Sequence, residues 1–291
     1  MKNLITVSIV EIEAKVLSTD IETLSIIQQF NGMIASYRKL LMVDGSLKLL
    51  ENAVRIAIKT GTIDAINIED KNFSIGKPNR RCGRLSLAHF LEAAVNIMKF
   101  AGDANIFYEK KYLLLELIIT ALTHDSIEDS VRKENRIAVG FNYTEKDLKS
   151  DLSIDIADDI SLKMIDKIVK NVVGLTITIE AQNDKAFTQD MLFQQLVDDG
   201  HLNAEAWYVR LCETITALGN LELLGFSNGG VMNIGDKKSF HIPKIKETKS
   251  ALNELLPVPK GEQLTHKRIK KFFKKAIKNA EQNNIYFVPK N

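Results

Sequence analysis

Apolar residues recur along most of this chain at intervals of three and four positions, the spacing of an amphipathic helix. One such series lies in the first sixty residues: Leu47, Leu50, Ala53, Val54 and Ala57. A second series lies further along: Leu91, Ala94, Val95 and Met98. The segment 61–87 between them holds glycines and a proline, so we expect a loop there. With only 15 glycines and 5 prolines in 291 residues, the pattern predicts an all-α fold.

The stretch YLLLELIITALTHD, residues 112–125, is apolar on nearly every side. A helix with that pattern is buried, so we expect it at the centre of the domain. Thr144 followed by Asp147 predicts the N-cap of the next helix. Downstream, the periodicity predicts five helices, over residues 145–150, 156–174, 188–199, 204–224 and 246–256.

Charge and cysteine content narrow the class of protein. The chain carries 39 basic and 37 acidic residues, a formal net charge of +2, so overall charge does not identify a partner. Cys82 and Cys212 form no CxxC pair, which fits a reducing compartment. The N-terminus has no signal-peptide pattern, and no stretch reaches the roughly 18 apolar residues that a membrane span needs. We therefore expect a cytoplasmic protein.

The sequence LTHDSIEDS, residues 122–130, places four ionisable side chains at the end of the apolar helix: His124, Asp125, Glu128 and Asp129. If the helix continued for one more turn, all four would point to roughly one side. Imidazole and carboxylate groups can bind a divalent metal together, and burying them costs free energy unless they are paired or coordinated. A solvated helix end with an acidic loop remains the alternative interpretation of this stretch.

Two segments, RRCGRLSLAH at residues 80–89 and LTHDSIEDS at residues 122–130, resemble motifs of the hydrolase domain of the RelA/SpoT family, a group of HD-type phosphohydrolases. RRCGRLSLAH, residues 80–89, is similar to the family pattern Arg-Lys-Ser-Gly-Glu-Pro-Tyr-x-x-His. LTHDSIEDS is similar to Leu-x-His-Asp-x-x-Glu-Asp-Thr. The resemblance covers residues 48–256 and implies an HD-domain helical bundle there. It leaves residues 1–47 as an N-terminal helical extension and 257–291 as a C-terminal basic amphipathic helix.

The resemblance also implies a role for each matching residue. The metal ligands would be His89, His124, Asp125 and Glu213. Glu128 and Asp129 would be the catalytic acids that act on the attacking water. The nucleotide-binding residues would be Arg80, Arg81 and Asn220. The implied cofactor is Mn²⁺, with Zn²⁺, Fe²⁺ or Mg²⁺ as other divalent cations, and the implied reaction releases pyrophosphate from a guanosine 3′-pyrophosphate or a related alarmone.

Several positions depart from the family pattern. Glu213 and Ala217 stand where the family has Asp and Asn, and Asn220 stands where it has Thr. Leu85 and Ser86 replace a Pro-Tyr pair. Since most of these changes affect substrate recognition, two alternatives stay open. The chain could be an HD phosphohydrolase for another nucleotide, or a catalytically inactive HD module that binds nucleotide.

The C-terminal segment 264–281 predicts a helix with apolar residues on one face and lysines on the other. We interpret it as a surface helix docked by its apolar face. The other interpretation is a helix that binds an anionic surface, nucleic acid or the groove of a partner. For the whole chain we expect a small nucleotide rather than nucleic acid as the partner, and we expect no membrane span. Whether the chain forms a homo-oligomer stays open.

Overall fold

The structure is a computed structural model, and it describes residues 21–41, 45–61, 86–102, 111–131, 143–177, 197–198, 201–202, 205–210, 212–213 and 271. Seven α-helices lie in the first five of these ranges: α1 Ile21–Leu41, α2 Ser46–Gly61, α3 Ser86–Gly102, α4 Lys111–Thr123, α5 Ser126–Val131, α6 Glu145–Leu152 and α7 Asp159–Leu175. Residues 205–210 and 212–213 are also helical and are called α8 below.

Two short strands complete the described part. β1 (Val197–Asp198) pairs antiparallel with β2 (His201–Leu202), with Val197 opposite Leu202. These strands are two residues each, so the described part of the chain is all-α in architecture, which confirms the predicted fold class. β1 lies inside the helix predicted over 188–199, so that prediction is wrong at residues 197–198.

α4 is the central helix of the bundle, as its apolar pattern predicts. It packs against α2, α3 and α7, while α1 covers α3. Leu114, Leu115, Leu117 and Ile119 are all buried, and at 3.6 residues per turn they lie on different sides of α4. Burial of apolar surface on every side of one helix contributes most of the free energy that holds such a bundle together.

The neighbouring helices bury the faces that their periodicity predicts, with one exception. The α3 series is buried throughout, and in the α2 series Leu50, Ala53, Val54 and Ala57 are buried. Leu47, in the first turn of α2, is instead 38% exposed. Ser46, Leu49 and Leu50 beside it are buried, so only the side of the first turn that carries Leu47 faces out.

The starts of α6 and α7 follow from side-chain caps. Thr144 and Asp147 form the predicted capping box, in which the Thr144 amide donates to Asp147 Oδ2 at 2.9 Å. These bonds to Thr144 hold the pKa of Asp147 below its ordinary value. α7 begins at residue 159 rather than at the predicted 156, because Asp158 caps it by accepting from the Ser161 amide at 2.8 Å.

α4 ends earlier than its sequence predicts, and this changes the site. The helix stops at Thr123, residues 124 and 125 form a turn, and α5 starts at Ser126. The condition under which all four ionisable side chains would point to one side, a helix continuous through Asp129, is therefore not met. The turn carries His124 and Asp125, whereas Glu128 and Asp129 belong to α5.

The end of α2 lies directly against the start of α3. A Cβ atom added at Gly61 would be 2.7 Å from the backbone nitrogen of Leu87, a distance that real Cβ contacts do not show. Only glycine allows the two backbones to approach this closely. Since Leu87 is two residues before His89 on α3, the contact fixes the position of that histidine.

Other predictions fall wholly or partly outside the described residues. These include most of the helices predicted over 188–199, 204–224, 246–256 and 264–281, although α8 confirms the helical character of its own residues. The segment boundaries at 47 and 256 stay predictions, and α1, within the predicted extension, contributes Ile27 and Phe30 to the same core as α4. Among the described helices, none has both the length and the apolar composition to cross a bilayer.

We expect Glu116→Gln to stabilise the protein at neutral pH. Glu116 is buried in α4, where Asn171 donates to it at 3.2 Å and Lys167 lies 3.8 Å away. Burial raises its pKa from 4.5 to about 6, although Lys167 and Asn171 oppose the rise. The native state thus binds more protons than the unfolded state between these values, so the free energy of unfolding falls as pH rises through that window, by about 2 kcal/mol.

Urea unfolding at pH 4 and pH 7 measures this effect. The decrease should be about 2 kcal/mol smaller in Glu116→Gln, because other groups such as His124 still titrate, and the exposed Glu145→Gln should keep the full decrease. An unchanged pH dependence in Glu116→Gln would contradict the assignment.

We expect Gly61→Ala to destabilise the protein by about 1–3 kcal/mol, because the new methyl group overpacks the contact with Leu87. Gly32→Ala is the matched control, since nothing lies within 4 Å of a Cβ atom there. In the middle of α1 that change should stabilise by up to about 1 kcal/mol. Thermal unfolding of both variants checks the opposite signs, and equal effects would rule out the close approach.

Candidate metal centre

His89 enters the site from the second turn of α3. Its ring is buried, and its Nε2 atom faces the side chains that follow α4. The Nε2 atoms of His89 and His124 are 3.2 Å apart. Two imidazoles, one from α3 and one from the turn after α4, thus direct the same ring atom toward one point.

His124 and Asp125 occupy the turn after α4. The backbone carbonyl of Ala121 lies 2.8 Å from His124 Nδ1, so in the neutral ring Nδ1 carries the proton and donates to it. That leaves Nε2 with a lone pair directed into the site. The Phe90 ring packs edge-on against the His124 ring, with centroids 5.6 Å apart, and limits its rotation.

Asp125 bridges the two imidazoles. Its Oδ1 atom is 3.3 Å from His124 Nε2, and its Oδ2 atom is 3.6 Å from His89 Nε2. The residue is buried, which would be costly for a carboxylate without partners. The turn that ends α4 is what places both oxygens opposite the histidines.

Glu213 reaches the same point from α8. Its Oε1 atom is 3.9 Å from His89 Nε2, and its other oxygen accepts a hydrogen bond from Arg210. Asn96 of α3 donates to the Cys212 carbonyl at 3.4 Å, which ties the α8 backbone to the helix that carries His89. Burial raises the pKa of the Cys212 thiol, so at neutral pH it stays protonated and is a poor metal ligand.

The donor atoms fit a single divalent cation. One donor atom each from His89, His124 and Glu213 lies within 4.8 Å of the others, and Asp125 contacts both histidines. With bonds of about 2.1 Å, two ligands of one metal are about 3.0 Å apart at a right angle and about 4.2 Å apart on opposite sides. The distances of 3.2, 3.3, 3.6 and 3.9 Å fall within that interval.

The electrostatic field at this point favours positive charge. Burial of the His124 ring opposes its protonation, but the carboxylates of Asp125 and Glu213 outweigh burial and raise the pKa of His124. If both carboxylates are ionised, Arg210 compensates only one of the two negative charges. The group can therefore stabilise a proton or a metal cation among its donors.

Glu128 is buried on α5, and its carboxylate is held from another direction. Its Oε2 atom accepts a hydrogen bond from the backbone amide of Ile177 at 3.1 Å, just beyond the end of α7. A charge-assisted bond of this kind fixes the orientation of a carboxylate. Asp129 lies one residue further along α5, and its side chain is outside the described part.

The structure brings together the four side chains that the resemblance implies as ligands: His89, His124, Asp125 and Glu213. Arg80, Arg81 and Asn220, the implied nucleotide-binding residues, lie outside the described residues. Sequence reasoning missed Arg210 and the Ile177 amide. Arg210 could have been found from its spacing, since residues three apart on a helix are neighbours, whereas no sequence signal indicates the amide.

No family model, no curated protein and no solved structure matches this chain. The class of protein therefore rests on the two short motifs and on the geometry of the candidate metal centre. Together these leave the HD assignment as a hypothesis.

We expect the protein to bind one Mn²⁺ ion with a rise in unfolding temperature, because a ligand that binds only the native state stabilises it. Asp125→Asn should weaken that binding at least tenfold, because it removes a charge between the two histidines. Asp166→Asn, at an exposed position of α7, is the control. Calorimetric titration measures both, and equal affinities would exclude Asp125 as a ligand.

Proposed function

We propose that this chain is a metal-dependent phosphohydrolase of the HD type that hydrolyses a nucleoside 3′-pyrophosphate and releases pyrophosphate. One observation carries the proposal. Two imidazoles and the Glu213 carboxylate converge within metal-ligand distances from α3, from the turn after α4 and from α8, and Asp125 contacts both imidazoles. They do so in the order His, His-Asp, acid that the resemblance implies.

The residues that would hold the cation are His89, His124, Asp125 and Glu213. Mixed imidazole and carboxylate donors suit Mn²⁺, and also Fe²⁺ or Zn²⁺. When bound, a divalent cation supplies Lewis-acid chemistry, which makes water more acidic and stabilises charge on phosphoryl oxygens. The chain's own donors contribute burial and fixed orientation, so little reorganisation is needed at the site.

In the proposed reaction Glu128 is the general base. Its carboxylate is anchored by the Ile177 amide, so it keeps one orientation while it accepts a proton from the attacking water. Asp129 would assist it in orienting that water. This assignment uses the implied role of the motif, together with the burial and anchoring of the Glu128 side chain.

The nucleotide would be held by residues of two further segments. Arg80 and Arg81 would pair with phosphate oxygens or stack on the base, and Asn220 would supply a polar contact. Guanidinium groups matter here because phosphoryl transfer depends mainly on positioning and on neutralisation of charge. The changes at residues 85, 86 and 217 make the identity of the base the most open part of the proposal.

A catalytically inactive nucleotide-binding module is the second candidate, and one contact favours it. One oxygen of Glu213 already bonds to Arg210, so the fourth ligand position carries a carboxylate engaged with a cationic side chain. Such a pair could hold the site together without metal. Glu128 and Asp129 remain in the sequence, which favours turnover over this candidate.

The test is incubation of the purified protein with Mn²⁺ and a panel of nucleotides, followed by anion-exchange chromatography of the products. The panel contains guanosine and adenosine 3′-pyrophosphates, nucleoside monophosphates and deoxynucleotides. We expect release of pyrophosphate from a 3′-pyrophosphate and none with Asp125→Ala. Hydrolysis of another member alone would reassign the substrate, and no turnover of any member would favour the inactive module.

Glu128→Gln separates catalysis from metal binding. It should lower kcat about 10²–10⁴-fold, the usual contribution of a general base, because the amide cannot accept the proton. The Mn²⁺ affinity should stay close to that of the unmodified protein. The exposed Glu145→Gln controls for loss of a glutamate charge, and an unchanged kcat in Glu128→Gln would remove Glu128 from the mechanism.

A further inference from the structure

Arg210 and Glu213 form a buried ion pair within α8. Both side chains are only 6–7% exposed, and Arg210 Nη1 donates to Glu213 Oε2. Residues three apart on a helix can make such a pair, but most pairs of this kind lie at the surface. A buried pair must offset the desolvation of both groups, and this cost indicates a role beyond stability.

The pair gives the two carboxylate oxygens of Glu213 different partners. Oε2 is bonded to Arg210, and Oε1 is 3.9 Å from His89 Nε2. Glutamate has one more rotatable bond than aspartate, so its carboxylate has more positions to occupy unless something holds it. Arg210 restricts it to the one in which Oε1 faces the histidines.

We propose that Arg210 is a positioning residue of the metal centre, which holds Glu213 Oε2 so that Oε1 is presented to a divalent cation. The inference rests on the proposed metal centre, but not on hydrolysis. It explains how the longer glutamate serves where the resemblance implies aspartate. Groups that orient a metal ligand in this way change metal affinity by about 10–100-fold.

A simpler role for Arg210, as a counter-charge alone, leads to a different expectation. A positive charge beside the site repels a cation, so removal of a mere counter-charge should strengthen metal binding. Arg210→Lys keeps the charge and changes only the geometry of the donor. Comparison of Arg210→Lys with Arg210→Met therefore separates positioning from charge.

The experiment measures Mn²⁺ affinity by calorimetry for the full chain and for Arg210→Lys, Arg210→Met and Arg55→Lys. Arg55 is the matched control, since it pairs with Glu51 on α2 but is half exposed. The visible absorption spectrum of each Co²⁺-loaded protein is recorded as well, because it reports the ligand geometry and not the stability. Thermal unfolding without metal shows whether each variant is folded.

We expect Arg210→Lys to bind Mn²⁺ at least tenfold more weakly and to change the Co²⁺ spectrum, while Arg55→Lys changes neither. Unchanged affinity and spectrum in Arg210→Lys, above all with tighter binding in Arg210→Met, would overturn the inference. So would an unmodified protein that binds no divalent cation, which would overturn the proposed function with it. Metal binding without hydrolysis would overturn the hydrolase alone, and the Arg210→Lys result would still decide this inference.

Discussion

The interior of this bundle contains ionisable groups at the end of its most apolar helix. α4 is buried on every side, and the turn that ends it carries His124 and Asp125 into the interior. A buried carboxylate loses several kcal/mol of hydration unless the protein replaces it. The surrounding elements supply partners at this point: α3 contributes His89, which lies 3.6 Å from Asp125, and α8 contributes Arg210, which pairs with Glu213.

Each partner is held in place by further contacts, some to its helix backbone and some to the ionisable side chain itself. The close approach at Gly61 sets the start of α3, and Asn96 joins α3 to the backbone of α8. The Ala121 carbonyl orients the His124 ring, and the Ile177 amide orients Glu128. Small displacements of a helix are thus transmitted to the donor atoms, because the side chains that carry them have few alternative positions.

Charge is balanced unevenly between the two sides of the candidate metal centre. On one side Asp125 contacts both imidazoles, and on the other Glu213 is shared between His89 and Arg210. Two buried carboxylates face one buried guanidinium here, so the ionised group carries excess negative charge, and the carboxylates accordingly raise the pKa of His124. A divalent cation would balance this negative charge more completely than a proton does. That balance of charge is the physical basis for the proposed metal chemistry.

The identity of the side chains that meet was implied by the family resemblance, whereas the sequence by itself determined the all-α class, the central position of α4 and the cap at Thr144. These follow from local rules, since helical periodicity and capping depend on residues only a few positions apart. Only the tertiary structure decided that α4 stops at Thr123, that Arg210 engages Glu213 and that a backbone amide holds Glu128. The end of α4 and the bond from the Ile177 amide to Glu128 depend on groups far apart in sequence. The Arg210–Glu213 pair is local, but other helices bury it, and burial is what distinguishes it from a surface pair. Local patterns do not encode such long-range contacts, because the free energy that selects them arises from burial in the assembled bundle.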